Sequence, residues 1–150
     1  RQRQMCIRDR NMILPEGVII YAQDRHGNRI SEINSSGADM DLPMVILTNS
    51  NTASASEALA GAARDRGTAV LVGTKTFGKG IMQTTYTLDN EGAFKLTTAK
   101  YYLPSGECIH EIGLTPEYEV ALPDGQESRT YYMTDQEDTQ LQKALEILGQ

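Results

Sequence analysis

Two continuous apolar runs frame an alanine-rich segment in the first half of the chain. MVILT (44–48) and AVLVG (69–73) lack internal polar positions, which is typical of strands buried on both faces. Between them, residues 54–66 carry apolar side chains at helical spacing, and Gly67 supplies a helix stop. We therefore predict a βαβ unit over residues 44–73 with a right-handed crossover.

The other runs mostly alternate between apolar and polar positions, as strands exposed on one face do. Turn residues separate two pairs of such runs and predict two hairpins: 18–23 with 29–33, and 81–88 with 93–103. Residues 33–43 predict a loop, 107–123 one or two short strands, and 134–150 a helix with an apolar stripe. The expected fold is mixed α/β, a βαβ core with adjacent antiparallel hairpins.

Composition and charge exclude several classes of function. The chain has 150 residues and a formal net charge of −6, and an acidic chain without a basic stripe argues against nucleic acid as a partner. No run approaches the roughly 20 apolar residues that span a membrane. Cys6 and Cys108 show neither metal-ligand spacing nor a disulfide framework.

The first ten residues, RQRQMCIRDR, differ from the rest of the chain. They carry four Arg and one Asp and show neither helical nor strand periodicity. MCIRDR also resembles the translation of a transposon end used in sequencing libraries. We interpret residues 1–10 as a non-native sequencing artefact and expect the native domain over residues 11–150. The alternative is a genuine basic arm.

Three hydroxyl side chains, Thr52, Ser54 and Ser56, lie at the start of the predicted helix. The simplest interpretation is helix capping, because Ser54 and Glu57 have the spacing of a capping box. The alternative is chemistry, since a serine hydroxyl becomes a nucleophile when a neighbouring base takes its proton.

Few residues could supply that base. His26 is expected in an exposed hairpin turn and His110 in a strand, and neither has a recognisable orienting motif, which disfavours a Ser-His arrangement. Lys79 lies between Gly78 and Gly80, which let the backbone approach another segment closely. A lysine can act as a base where burial lowers its pKa. The other interpretation is a solvated lysine in a flexible turn.

The same glycine loop partly matches a phosphate-binding P-loop. Residues 73–79 fit the first seven positions, but the eighth, which must be Ser or Thr, is Gly80. A P-loop also continues directly into a helix, whereas residues 81–88 alternate like a strand. The sequence therefore disfavours nucleotide binding.

Three segments together resemble the C-terminal processing peptidases, or tail-specific proteases. They are SNTASASEALAGA (50–62), VGTKTFGKGIMQT (72–84), and LTTAKYYLPSGECI (96–109) with GLTPEYEV (113–120). The segments occur in the family's order, and the resemblance runs from about residue 12 to the end. The family consists of serine endopeptidases with a ClpP/crotonase-like core and a Ser-Lys dyad assisted by a Gln. The resemblance implies no metal or cofactor.

The resemblance implies a role for each matching residue. Ser54, 25 positions before Lys79, would be the nucleophile, Lys79 the general base, and Gln83 the residue that orients the lysine. A Gln carbonyl accepts a hydrogen bond without adding a negative charge that would favour protonated lysine. The Ala55 backbone N–H is a natural oxyanion donor at the positive end of the helix dipole.

These roles imply a particular geometry. We expect Ser54 Oγ and the Lys79 amine to come within hydrogen-bonding reach in a partly buried pocket. The loop 74–80 must then fold back over the start of the helix. Residues 79, 81 and 83 of an extended strand share one face, so Gln83 should point at Lys79.

The sequence departs from the family in two respects. The Arg-x-Asn-Pro-Gly-Gly-like segment and the PDZ module are both missing, so residues 11–150 are expected to be the C-terminal part of a protease domain. A lost oxyanion donor costs about 10²–10³-fold in rate, so this fragment is expected to be nearly inactive.

The resemblance also bears on partners and location. It implies protein or peptide substrates cleaved in their C-terminal regions. The expected location is that of an exported bacterial protein, periplasmic or anchored outside the cytoplasmic membrane through an upstream segment. The alternative function is that of a non-catalytic binding or scaffolding domain that retains the protease fold.

Overall fold

A computed structural model describes residues 11–37, 42–89, 91–123 and 133–149. The strands are β1 (Gly17–Gln23), β2 (Arg29–Ser35), β3 (Val45–Thr48), β4 (Val70–Gly73), β5 (Ile81–Thr87), β6 (Ala93–Tyr102) and β7 (Tyr118–Glu119). The helices are α1 (Ala55–Arg66) and α2 (Thr139–Leu148). The mixed α/β class is confirmed. Residues 1–10 lie outside the described residues, so their interpretation as a sequencing artefact stays a prediction.

The predicted βαβ unit is present as β3, α1 and β4. β3 and β4 pair in parallel, with Val45 opposite Val70 and Thr48 opposite Gly73. β7 pairs in parallel with the other side of β4. The prediction that β3 is buried on both faces is wrong, because Leu47 is 41% exposed. β3 is the outer strand of this described sheet, with α2 packed against β3 and β4.

The two predicted hairpins share a second sheet, which has the strand order β2-β1-β6-β5. All of its pairings are antiparallel. The turn between β1 and β2 is held by Asp24, whose carboxylate accepts hydrogen bonds from the His26 amide and from the amide and side chain of Asn28. The hydrogen bonds from Asn28 lower the pKa of Asp24 below its ordinary value.

Helix α1 connects the two sheets through small side chains. Ala58, Ala62 and Ala63 pack with Ile19 and Ile20 of β1. Ala60 packs with a second group of buried residues: Leu71, Leu103, Ile109 and Leu114. Alanines allow the sheets to approach the helix closely, so the position of the helix start is fixed by both.

Two further features bear on the predictions. His110 lies in a turn and not in the predicted strand, because the chain reverses direction there to pack against the loop after β4. In the part of the chain that the structure describes, no helix is long and apolar enough to cross a membrane.

Candidate active site

The chain enters α1 through a sharp turn at Ser54. This residue has φ 57° and ψ −112°, a conformation that costs a residue with a side chain about 1–3 kcal/mol. In α/β-hydrolases a similarly strained strand-to-helix turn exposes a nucleophilic serine. Ser54 is also exposed here. The strained backbone could not be read from the sequence, and it is an independent sign of a functional position.

Helix capping uses little of the Ser54 side chain. Ser54 and Glu57 have the arrangement of a capping box, and Glu57 Oε2 accepts a hydrogen bond from the Ser54 amide at 2.8 Å. The Ser54 side chain also faces the Glu57 amide, as a capping box requires, but this contact does not have the geometry of a standard hydrogen bond. The cap therefore depends mainly on the Glu57 carboxylate, and the hydroxyl is not committed to it.

The Glu57 carboxylate joins the helix start to the glycine loop. Its side chain is fully buried. Oε2 accepts from the amides of Ser54 and Lys79 at 2.8 and 2.9 Å. Oε1 accepts from the Gly78 amide at 2.7 Å and the Thr76 hydroxyl at 2.6 Å. Four donors satisfy a charge that would otherwise be costly to bury.

Other contacts hold the loop in the same place. The Phe77 amide donates to the Thr52 carbonyl at 3.0 Å, so the loop lies along the segment that leads into α1. On its other side, the Gly78 carbonyl accepts from the Glu111 amide at 2.9 Å. The predicted fold-back of loop 74–80 over the helix start is confirmed.

The close packing of the loop requires glycine at position 80. A Cβ on Gly80 would lie 2.6 Å from the backbone nitrogen of His110, which is closer than real Cβ atoms approach. Since the obstacle is backbone, the 109–113 turn would have to move. The glycine beside Lys79 therefore serves close approach, as the sequence suggested.

The site residues lie at the surface of the described chain. Ser54, Ala55, Lys79 and Gln83 are all exposed, because the loop that lies along the helix start does not bury their side chains. The described residues therefore do not form the expected partly buried pocket. Ser54 and Lys79 are brought together through their amides. No hydrogen bond joins their side chains within the described ranges.

Ala55 lies at the predicted helix start and Gln83 in the predicted strand, whereas the predicted contact of Gln83 with Lys79 is not observed in the described ranges. Ala55 is the first residue of α1, and its amide has no hydrogen-bond partner among the described residues, as is usual in a first helical turn. Gln83 lies on β5 opposite Thr97, just after a register irregularity that follows Met82. No hydrogen bond from Gln83 to Lys79 is found in the described part of the chain.

Neither His26 nor His110 contacts Ser54 through a hydrogen bond in the part of the chain that the structure describes. His26 lies in the exposed β1–β2 turn. His110 has its Nε2 3.8 Å from Glu111 Oε1, and its buried Nδ1 has no hydrogen-bond partner among the described residues. Within the described residues, neither imidazole ring is hydrogen-bonded to Ser54. This agrees with the prediction, which disfavours a Ser-His arrangement.

The residue that sequence reasoning missed is Glu57. Its spacing from Ser54 was interpreted only as half of a capping box. A signal was present, because a carboxylate on the inner face of an alanine-rich helix needs several donors. The nearby Gly78-Lys79-Gly80 segment offers backbone amides, but no pattern in the sequence assigns them to Glu57.

Comparisons with known proteins agree with the family resemblance seen in the sequence. A model of peptidase family S41 matches residues 3–120. The chain is 41% identical over 135 residues to a carboxyl-terminal-processing protease of Synechocystis sp., covering 90% of this chain and 31% of that protein. It is 39% identical over 123 residues to a carboxy-terminal-processing protease of Bartonella bacilliformis, covering 81% and 28%.

A solved structure gives the same result for the fold. The chain resembles a photosystem II D1 C-terminal processing protease with a TM-score of 0.74 and 33% identity, covering 80% of this chain and 32% of that one. The chain therefore spans about a third of the length of the relatives it matches.

Proposed function

The chain belongs to peptidase family S41, and on that premise we propose that it carries the nucleophile and base of a serine endopeptidase. The reaction is acyl transfer within the C-terminal regions of protein substrates. Ser54 Oγ attacks the scissile carbonyl while the Lys79 amine takes the hydroxyl proton. Lys79 then gives that proton to the departing amine, and water hydrolyses the ester left on Ser54.

The observation that carries this proposal is the shared carboxylate oxygen. Because the amides of Ser54 and Lys79 both donate to Glu57 Oε2, their nitrogens are within two hydrogen-bond lengths of each other. A Lys side chain is long and flexible enough to bring Nζ to the Ser54 hydroxyl from there. The strained, exposed Ser54 and its lack of a standard cap bond support the same role.

Ala55 and Gln83 are proposed to complete the chemistry. The unpartnered Ala55 amide follows the nucleophile directly and would donate to the developing oxyanion. The Gln83 carbonyl would accept from the Lys79 amine and aim it at Ser54, without stabilising the protonated amine as a carboxylate would. No step of this mechanism calls for a metal or cofactor.

The setting of the enzyme is part of the same proposal. We take residues 11–150 to form part of a protease domain, with proteins or peptides as substrates. The relatives include chloroplastic processing peptidases of Tetradesmus obliquus and Arabidopsis thaliana. Together with the family resemblance, these organellar relatives support an exported protein that acts outside the cytoplasm.

Hydrolysis and active-site labelling test the proposal together. Because the chain alone is expected to be nearly inactive, it is first joined to the upstream segment that carries the family's oxyanion glycine, and this protein serves as the wild type. It is incubated with unstructured peptides, products are identified by mass spectrometry, and a fluorophosphonate probe reports the reactive serine without requiring turnover. We expect Ser54→Ala and Lys79→Met to abolish both signals. Ser56→Ala and Lys75→Met, which alter exposed neighbours in the same two segments, should retain them.

The outcomes separate an enzyme from a binding domain. Labelling or cleavage that persists in Ser54→Ala excludes Ser54 as the nucleophile. Peptide binding without cleavage or labelling of the wild-type protein would instead indicate a domain that keeps the fold and has lost the chemistry.

A further inference from the structure

Phe77 combines an exposed side chain with buried neighbours. Its side chain is 66% exposed, the highest value of any large hydrophobic residue in the described part of the chain. Thr76 and Gly78, on either side, are buried. Single exposed apolar residues are common on protein surfaces, so exposure alone assigns no role to this ring.

The backbone that carries the ring is held at every residue. Each of the four successive amides from Thr76 to Lys79 donates a hydrogen bond. The acceptors are the Leu114 carbonyl, the Thr52 carbonyl, Glu57 Oε1 and Glu57 Oε2. The Cα of Phe77 is therefore fixed, and a ring presented from a fixed backbone loses less entropy on binding than one on a mobile loop.

The position of Phe77 relates the ring to the candidate active site. Its amide donates to the Thr52 carbonyl at 3.0 Å, and Thr52 precedes Ser54 by two residues. Along the loop, Phe77 precedes Lys79 by two residues. The ring thus starts from the junction between the segment of the nucleophile and the segment of the base. A peptide whose carbonyl is bound at Ser54 would therefore lie near the residue that carries this ring.

We infer that Phe77 forms an apolar wall of the substrate site and selects an apolar side chain of the peptide close to the scissile bond. This inference rests on the proposed function and adds a substrate class to it. Contact with an aliphatic side chain removes apolar surface of both partners from water, which favours binding. A polar side chain of the same length would lose its water without gaining a hydrogen bond.

A matched pair of peptides measures this selection. The peptides are identical except for Leu or Gln at the position beside the scissile bond, and kcat/KM is measured for each. In the wild type we expect about a 10-fold preference for Leu, within the range that one apolar contact supplies. Phe77→Ala should reduce the ratio to near 1, mainly through a higher KM for the Leu peptide, and Phe77→Leu should retain most of it.

Tyr86 supplies the control. It is an exposed aromatic residue on β5, stacked on Phe94 and outside the loop, so Tyr86→Ala should leave the Leu-to-Gln ratio unchanged. An unchanged ratio in Phe77→Ala, or an equal fall in Tyr86→Ala, overturns the inference. The ratio is insensitive to a uniform loss of folded protein, which lowers both rates alike.

A binding measurement keeps this inference distinct from the proposed function. If the wild type shows neither Ser54-dependent turnover nor Ser54-dependent labelling, the proposed function fails. The same two peptides, fluorescently labelled, are then titrated with the Ser54→Ala protein by anisotropy, with and without Phe77→Ala. The inference is upheld if the Leu peptide binds more tightly than the Gln peptide and this difference is lost in Phe77→Ala. It is overturned if Phe77→Ala does not change the difference.

Discussion

The backbone amides of Ser54 and Lys79 donate to one and the same oxygen, Oε2 of Glu57, at 2.8 and 2.9 Å. Between these residues the chain runs through α1, β4 and the glycine loop. A single buried carboxylate thus sets the spacing of two distant segments. Their relative placement depends on backbone groups, so it does not require that the Ser54 and Lys79 side chains touch.

Replacing this carboxylate by an amide should loosen the loop. In Glu57→Gln one carboxylate oxygen becomes an NH₂ group. This group faces two hydrogen-bond donors and cannot accept a hydrogen bond from either. Two buried donors without an acceptor cost about 1–3 kcal/mol each, so we expect a loss of about 2–6 kcal/mol in the free energy of unfolding. Urea denaturation measures this loss, and amide hydrogen exchange should quicken at Gly78 and Lys79. Unchanged protection at these amides would contradict the clamp.

Substitutions at Ser54 distinguish a cap from a strained nucleophile. Loss of a genuine serine cap to Ala costs about 1 kcal/mol. Because the Ser54 hydroxyl makes no standard cap bond, we expect Ser54→Ala to cost clearly less. Ser54→Gly should stabilise the fold by about 1 kcal/mol, since glycine relieves the positive φ. Thermal denaturation of both variants provides the measurement, and destabilisation by Ser54→Gly would restore the capping interpretation.

Two glycines with positive φ form a matched pair for packing. A Cβ on Gly73, which has φ +130°, would lie 2.0 Å from the Thr48 carbonyl oxygen, whereas Gly67, with φ +71°, has nothing within 4 Å of that position. We expect Gly67→Ala to cost about 1 kcal/mol of strain. Gly73→Ala should cost more than about 4 kcal/mol, because β3 and β4 must separate. Similar denaturation midpoints for the two variants would refute this packing.

The β1–β2 turn should show the effect of pH. The hydrogen bonds from Asn28 lower the pKa of Asp24 in the folded chain. The stabilisation they give is therefore complete above the ordinary Asp pKa and is lost as pH falls through the lowered value. A carboxyl carbon NMR titration should place Asp24 below its ordinary value, and Asn28→Ala should move it back up. A titration of Asp24 at the ordinary value in the folded protein would count against these hydrogen bonds.

The βαβ unit was predictable because the patterns that specify its elements each lie within a short stretch of sequence. Two continuous apolar runs, an alanine-rich helical pattern and the glycine stop at Gly67 each specify one element. Short-range periodicity also fixed both hairpins. It could not tell that β3 would be an outer strand with Leu47 exposed, since sheet order is decided by strands distant in sequence. His110 was misplaced because an alternating pattern of three residues fits a turn as well as a strand.

The candidate site was predictable in its residues and less so in its geometry. The spacing and order of the three segments identified Ser54, Lys79 and Gln83, whose roles stay predictions. The described residues do not form the expected pocket, since the loop that lies along the helix start leaves Ser54 and Lys79 exposed. The positive φ of Ser54 and the four donors of Glu57 arise from tertiary contacts, which no local pattern encodes.

The buried carboxylate also has a consequence for the timing of reactivity. The amides of residues 78 and 79, which lie beyond β4 in the chain, donate to the fully buried Glu57 carboxylate. Burial of this charge is therefore favourable only once those amides are in place. Until then, the hydroxyl and the amine belong to separate, fluctuating stretches of chain. Under the proposed function, a newly made or partly unfolded molecule would therefore lack hydrolytic activity, which would arise only with completion of the fold.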